Sequence, residues 1–101
     1  SGGENIYPGE IEAVFEAALH VDEVAVIGTP DKKWGEAVTA CIVGKGVTKD
    51  KMEMVFRESR LASFKRPRRY IFMEKLPRNA ANKVLRKELK IIATKTLLEE
   101  T

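Results

Sequence analysis

The chain has 101 residues, a formal net charge of +3, a 44% apolar and 33% charged composition, and a single cysteine, Cys41. That length fits one domain with a modest core, the composition is that of a globular protein in water, and no apolar run approaches the roughly 20 residues of a membrane span. One cysteine excludes an internal disulfide and a cysteine-rich metal site. With no basic-then-apolar leader at Ser1-Gly2-Gly3-Glu4, a cytoplasmic location is expected. The chain begins without Met, inside a glycine turn, so it is expected to be a piece of a longer one.

Residues 8–19 carry helix signals. Pro8 suits a first helical position, Glu10 and Glu12 favour the positive end of the helix dipole, and Ile11, Val14, Phe15, Ala18 and Leu19 recur at helical spacing. Residues 21–29 predict a strand built on Val24-Ala25-Val26-Ile27 and stopped by Gly28-Thr29-Pro30-Asp31. Residues 36–43 predict a second strand, closed by the turn Gly44-Lys45-Gly46. Cys41 alternates within it as a small buried hydrophobe. Residues 49–59 predict a helix with Thr48 as its N-cap and Met52, Val55 and Phe56 facing inward. Residues 70–73 predict a third strand and residues 74–82 a loop. A last helix runs from 83 or 84 to 98, with Leu85, Leu89, Ile92 and Ala93 on its apolar face. Three strands and three helices imply an α+β domain, a small three-stranded sheet flanked by helices.

Charge is placed unevenly. Lys65, Arg66, Arg68 and Arg69 crowd the segment around Pro67, a pattern that serves an anionic partner or is simply a solvated basic loop. A small basic nucleic-acid-binding module fits the charge, but no nucleic-acid motif and no aromatic platform on a strand accompanies it, so no nucleic-acid partner is expected. Trp34 sits in the polar loop Asp31-Lys32-Lys33-Trp34-Gly35-Glu36, either half exposed or as a core plug. His20 has no partner in sequence and receives no role. Lys83 ends a polar loop; a lysine there is either a solvated helix-end residue or a point charge with three donors for a carboxylate or phosphate.

The run Leu76-Pro77-Arg78-Asn79-Ala80-Ala81-Asn82-Lys83-Val84-Leu85-Arg86, read with Ser1-Gly2-Gly3-Glu4-Asn5-Ile6-Tyr7-Pro8, resembles the C-terminal domain of the acyl-adenylate-forming (AMP-binding) enzymes, and among them the benzoate-type acid–CoA ligases. The resemblance covers nearly the whole chain. It implies that residues 1–101 form the mobile C-terminal lid of an ATP-dependent carboxylic acid–CoA ligase for an aromatic or aryl acid, inactive as this piece alone. The implied partners are its own N-terminal adenylating domain, a small carboxylic acid, ATP and CoA, with Mg²⁺ held by the N-terminal domain and no metal site in the lid.

Residue by residue, the resemblance implies a catalytic role for Lys83 during acyl-adenylate formation. It implies that Gly2, Gly3 and Glu4 line the path of CoA's pantetheine arm, where glycine leaves room for the thiol. It implies that Trp34, Phe64, Arg66 and Arg68 face the CoA nucleotide, by ring stacking and guanidinium–phosphate forks. Lys65 and Arg69 are then solvated or touch the larger domain. Many members carry glycine before the lysine, where this chain has Asn82; asparagine is the side chain after glycine best able to take a left-handed turn. An alternative within the same superfamily is the lid of a peptide-synthetase adenylation domain, whose basic cluster faces a carrier protein.

Overall fold

The computed structural model describes residues 7–100, so the expectation for Gly2, Gly3 and Glu4 lies outside the described residues. In chain order come helix α1 (Pro8–Glu16), strands β1 (Val21–Asp31) and β2 (Gly35–Gly44), helix α2 (Lys49–Arg57), strand β3 (Arg69–Phe72) and helix α3 (Arg86–Glu99). β1 and β2 form an antiparallel hairpin, and β3 lies parallel to β2, giving the order β1-β2-β3. A parallel neighbour requires a crossover, which α2 and a short 3₁₀ turn at Ser63–Lys65 provide. The α+β sheet-and-helix class expected from the sequence is the one observed.

The sheet is covered on both faces. Val38, Ala40 and Ile42 of β2 pack with Val26 of β1, with Ile11 and Phe15 of α1, and with Met52 and Phe56 of α2. Cys41 and Val43 point the other way, to Ala25, Ile27, Ile71, Leu76, and Leu89 and Ala93 of α3. A strand buried on both faces reads as a continuous apolar run instead of an alternation, which accounts for Ala37 to Val43 being apolar except at Thr39. On the first face the Phe15 ring stacks on Phe56 at 6.3 Å and meets Tyr70 edge-on at 6.0 Å.

The boundaries differ from expectation where tertiary contacts decide them. α1 stops at Glu16, and Leu19, expected on its apolar stripe, is 80% exposed. The chain turns there through His20, whose φ of 71° is left-handed, a conformation in which histidine is enriched. Gly44 pairs with Val21 at this corner. A Cβ on Gly44 would sit 2.1 Å from the His20 carbonyl oxygen, so only glycine fits. β1 does not stop at Gly28: Pro30 and Asp31 continue the ladder opposite Glu36 and Gly35. Proline is tolerated because β1 is an edge strand. α2 ends two residues early, at Arg57, while Thr48 caps it as expected, its hydroxyl oxygen accepting from the Lys51 amide at 3.2 Å. β3 spans Arg69–Phe72, one residue earlier than expected. α3 starts only at Arg86, which makes Lys83 a loop residue, and Ile92 lies on the rim of the core, not within it.

One polar contact closes the edge of β1. The Val26 amide donates to Glu12 Oε2 at 2.8 Å, and the Val26 carbonyl accepts from Arg86 Nη1 at 2.9 Å. Arg86 Nη2 in turn donates to Glu12 Oε2 at 2.9 Å. Edge strands leave such groups unpaired and adhesive; here side chains of α1 and α3 satisfy them and join the two layers.

Cys41 tests the double burial. Desolvation pushes its thiol from the ordinary 9.0 up to about 12. The folded state therefore holds the proton more tightly than the unfolded chain, so this group costs nothing below pH 9 and lowers stability as pH rises from there towards about 12. We expect the native thiol to resist aromatic-disulfide titration at pH 8 and to react fully in denaturant. Rapid reaction without denaturant would contradict the packing.

Candidate functional site

The Lys83 loop is a small hairpin held by its own main chain. Arg78 and Val84 form an isolated antiparallel bridge, the Asn79 amide donates to the Lys83 carbonyl at 2.9 Å, and the Leu85 amide donates to the Pro77 carbonyl at 2.9 Å. Asn79 organises the tip. Its Oδ1 accepts from the Ala81 and Lys83 amides at 2.9 and 3.0 Å, and its carbonyl accepts from the Asn82 amide at 2.9 Å. Asparagine is a turn former for this reason: its side chain bonds its own backbone a few residues on. Asn82 takes the left-handed conformation, with φ 67°, as its place before the lysine led us to expect. The Lys83 side chain is exposed, and among the described residues its ammonium has no hydrogen-bond or ion-pair partner. Its backbone is thus fixed while its charge stays open to solvent.

A second cluster lies at the hairpin between β1 and β2. Asp31 Oδ2 accepts from the Lys33 and Trp34 amides at 3.0 and 2.8 Å, and Gly35 follows with φ 82°, which turns the chain back. Trp34 is thereby held out, 38% exposed, and is half exposed instead of a core plug. The Arg68 guanidinium lies 5.0 Å from its ring centroid, as does the Lys33 ammonium, both within cation–π range. The fold thus brings together Trp34 and Arg68, which are distant in sequence.

Phe64 and Arg66 lie on the neighbouring 3₁₀ turn and its end. The Phe64 ring is 65% exposed, with the Lys65 ammonium 5.9 Å from its centroid. Arg66 Nε sits 3.7 Å from Glu53 of α2, a loose pair in which Arg66 is exposed and Glu53 largely covered. Lys65 binds Glu10 of α1 at 2.8 Å. Below them the Tyr70 hydroxyl is buried without a hydrogen-bond partner among the described residues. Burial, then Glu53, raises its pKa against the lowering pull of Arg66, so it stays protonated. Arg69 is mostly covered and bonded within the domain instead of solvated. Its Nη1 donates to Thr29 Oγ1 and the Pro30 carbonyl at 2.8 and 2.7 Å, and its Nη2 to Asp31 at 2.9 Å. The Thr39 hydroxyl donates to the Ala37 carbonyl, so its oxygen accepts from Thr29 at 2.6 Å. This buried chain of donors holds the hairpin that carries Trp34.

The two clusters stand apart. Arg78 of the Lys83 loop binds Glu23 near the start of β1, whereas Trp34 follows the end of that strand. From Glu23 to Asp31 the strand spans roughly 26 Å at about 3.3 Å per residue. The anchoring roles of Arg69, Arg78 and Arg86 are not legible in the sequence, because each pairs with an acid more than thirty residues away. Among the described residues no helix is long and apolar enough to cross a membrane, and no three His, Cys, Asp or Glu side chains group to hold a metal.

The family described as AMP-binding enzyme C-terminal domain matches residues 10–83. The chain is 50% identical over 92 residues to a 4-chlorobenzoate–CoA ligase of Pseudomonas sp., covering 88% of this chain and 17% of that protein. It is 44% identical over 90 residues to a 2-succinylbenzoate–CoA ligase of Bacillus cereus, covering 89% of this chain and 19% of the relative. Among solved structures it is similar to a Mycobacterium tuberculosis fatty acyl CoA synthetase, with a TM-score of 0.89 and 43% identity over 95% of this chain and 19% of that one. It is also similar to an o-succinylbenzoate CoA synthetase from Bacillus subtilis in complex with its acyl-adenylate intermediate, with a TM-score of 0.81 and 45% identity over 89% of this chain and 19% of the other. The chain spans about one fifth of the length of these relatives.

The turn at Asn82 can be tested directly. A left-handed residue with a Cβ carries a penalty of roughly 1–2 kcal/mol, from which glycine is exempt and asparagine partly so. Asn82→Gly is expected to keep the denaturation midpoint or raise it slightly, and Asn82→Val to lower stability by about 1 kcal/mol or more. Equal tolerance of both would mean that the loop does not hold this turn.

Proposed function

Because the chain belongs to the AMP-binding enzyme C-terminal domain family, we propose that it is the C-terminal lid of an ATP-dependent, AMP-forming acid–CoA ligase acting on an aromatic or aryl acid. The observation that carries the reading is the Lys83 loop: a backbone held on both sides of the residue, with the ammonium exposed and unpaired among the described residues. Relatives whose names are 4-chlorobenzoate–CoA ligase and 2-succinylbenzoate–CoA ligase support the aryl assignment. Residues 1–101 then constitute the lid, with the acid pocket and the Mg²⁺ contacts in an N-terminal adenylating domain and the whole enzyme in the cytoplasm.

In the first half-reaction a carboxylate oxygen of the acid attacks the α-phosphorus of ATP, the bond to the bridging oxygen breaks, and pyrophosphate leaves. Two anions have to meet, and negative charge accumulates on the phosphate oxygens. Lys83 supplies a cation to both the carboxylate and those oxygens, with the same logic as an oxyanion hole. In the second half-reaction the CoA sulfur bonds to the acyl carbon, AMP leaves, and the thiol proton passes to solvent. The lid then presents Trp34, Phe64, Arg66 and Arg68 to the CoA nucleotide, with Gly2, Gly3 and Glu4 beside the pantetheine arm. The residues suit that task. A half-exposed indole under a guanidinium offers a ring for adenine and donors for phosphate, and among the described residues Arg66 is held by no more than its loose pair with Glu53. Reaching the cleft in turn with two clusters at opposite ends of β1 requires the lid to rotate between the half-reactions.

In the full-length enzyme Lys83→Ala is expected to slow adenylation by roughly 10²–10³, the scale for losing one charge-stabilising donor. Thioester formation from a supplied acyl-adenylate should change far less. Equal losses in the two half-reactions, measured separately, would reject the catalytic assignment.

Replacing Arg66 and Arg68 together with Ala should raise the KM for CoA by about tenfold or more, from lost charge-assisted hydrogen bonds, while sparing adenylation. Added salt should weaken CoA use by the parent more than by the double variant. With pantetheine, which lacks the nucleotide, the two enzymes should turn over alike. Unaltered CoA kinetics at low salt would make the basic cluster a solvated loop.

A further inference from the structure

Arg78 is the side chain that decides where Lys83 can point. Its Nη1 donates to the Asn82 carbonyl at 2.8 Å, and its Nε and Nη2 donate to Glu23 Oε1 at 3.0 and 2.5 Å. The Asn82 carbonyl belongs to the same peptide unit as the Lys83 amide, which donates to Asn79 Oδ1 at 3.0 Å. A peptide unit is planar, so holding its oxygen on one side and its N–H on the other fixes the whole plane. The next carbonyl, that of Lys83 itself, accepts from the Asn79 amide at 2.9 Å. With both flanking peptides held, the direction of the Lys83 Cα–Cβ bond is set. The left-handed Asn82 at φ 67° sits at the centre of this arrangement and needs such outside support.

We propose that the Glu23–Arg78 pair is a positioning device for Lys83, transmitting the rigidity of β1 to the loop through the Asn82 carbonyl. This rests on the adenylation role assigned to Lys83 above. Three features mark it as more than an incidental surface pair. Arg78 spreads its donors over two elements, and both partners keep about 30% exposure, 31% for Arg78 and 29% for Glu23. Glu23 pairs with the Arg78 guanidinium and so neutralises a cation on the same loop as Lys83. A lysine at 78 could not hold a carboxylate and a carbonyl with one planar fork. Arg78 touches no reacting atom on this view; it acts through Lys83.

The test uses the full-length ligase, with adenylation and thioester formation measured separately in single turnovers. Displacing a reactive group by about 1 Å can cost up to 10²-fold, so Arg78→Ala should slow adenylation about 10- to 100-fold and leave thioester formation from acyl-adenylate unchanged. Arg78→Lys should recover only part of the loss. Glu23→Gln, a surface change with little capacity to unfold the protein, should give a smaller loss confined to adenylation. In a Lys83→Ala background, Arg78→Ala should cost almost nothing further, because the two changes remove one unit. Hydrogen exchange of the Lys83 amide should quicken in Arg78→Ala while amides of β2 keep their protection. If Lys83→Ala slows adenylation but Arg78→Ala and Glu23→Gln do not, or if the Arg78 and Lys83 effects multiply in full, the positioning inference fails alone. If Lys83→Ala leaves adenylation untouched, the functional reading fails first.

Discussion

Strand β2 turns neither face to water, and the rest of the fold follows from that constraint. A strand with two apolar faces needs a helical layer on each side, so α1 and α2 close one face and α3 the other. Only small and β-branched side chains fit the gap: Ala37, Val38, Thr39, Ala40, Cys41, Ile42 and Val43 all lie buried. Deep burial in so small a domain leaves little room for polar atoms, and the Thr29–Thr39 pair is admitted because each hydroxyl finds an acceptor. The hydrophobic term here is non-directional; it holds the layers together without fixing the loops at either end.

Direction comes from three arginines. Arg86 caps the Val26 carbonyl and pairs with Glu12, Arg69 caps the Pro30 carbonyl and pairs with Asp31, and Arg78 caps the Asn82 carbonyl and pairs with Glu23. Each joins a carboxylate to a main-chain oxygen by its several donors in fixed geometry. Glu23, Val26, Pro30 and Asp31 all belong to β1, so this edge strand becomes a rail to which the Lys83 loop, the start of α3 and the Trp34 hairpin are attached. As surface ion pairs these contribute little stability; their value is orientation.

That rail gives the domain two chemically different ends, to which the proposed function assigns separate tasks. The Lys83 loop hangs near its beginning and the Trp34–Arg68 stack beyond its end. A rigid body with different chemistry at each end can serve two reactions in one cleft by turning, without changing its own shape. The proposed cycle of adenylation and thioester transfer requires such a body, and a sheet with both faces packed resists internal deformation.

What the sequence by itself determined was whatever is local or periodic. The apolar stripe through Ile11, Val14 and Phe15 marked α1, the segment 36–43 closed by Gly44-Lys45-Gly46 marked a strand, Thr48 marked the start of α2, and Asn82 before Lys83 marked a left-handed turn; each depends on neighbours within a few residues. The family resemblance and the candidate role of Lys83 were legible for the same reason, as they rest on short contiguous stretches at 1–8 and 76–86. What only the tertiary structure decided was where elements stop and which charges pair. Leu19 leaves the stripe because the Gly44–His20 contact turns the chain. Pro30 stays in a strand because β1 is an edge. Arg69, Arg78 and Arg86 look alike in sequence until the fold brings Asp31, Glu23 and Glu12 to them. A guanidinium has no preferred partner along the chain; its pairing is set by which carboxylate the packed sheet and helices place within reach.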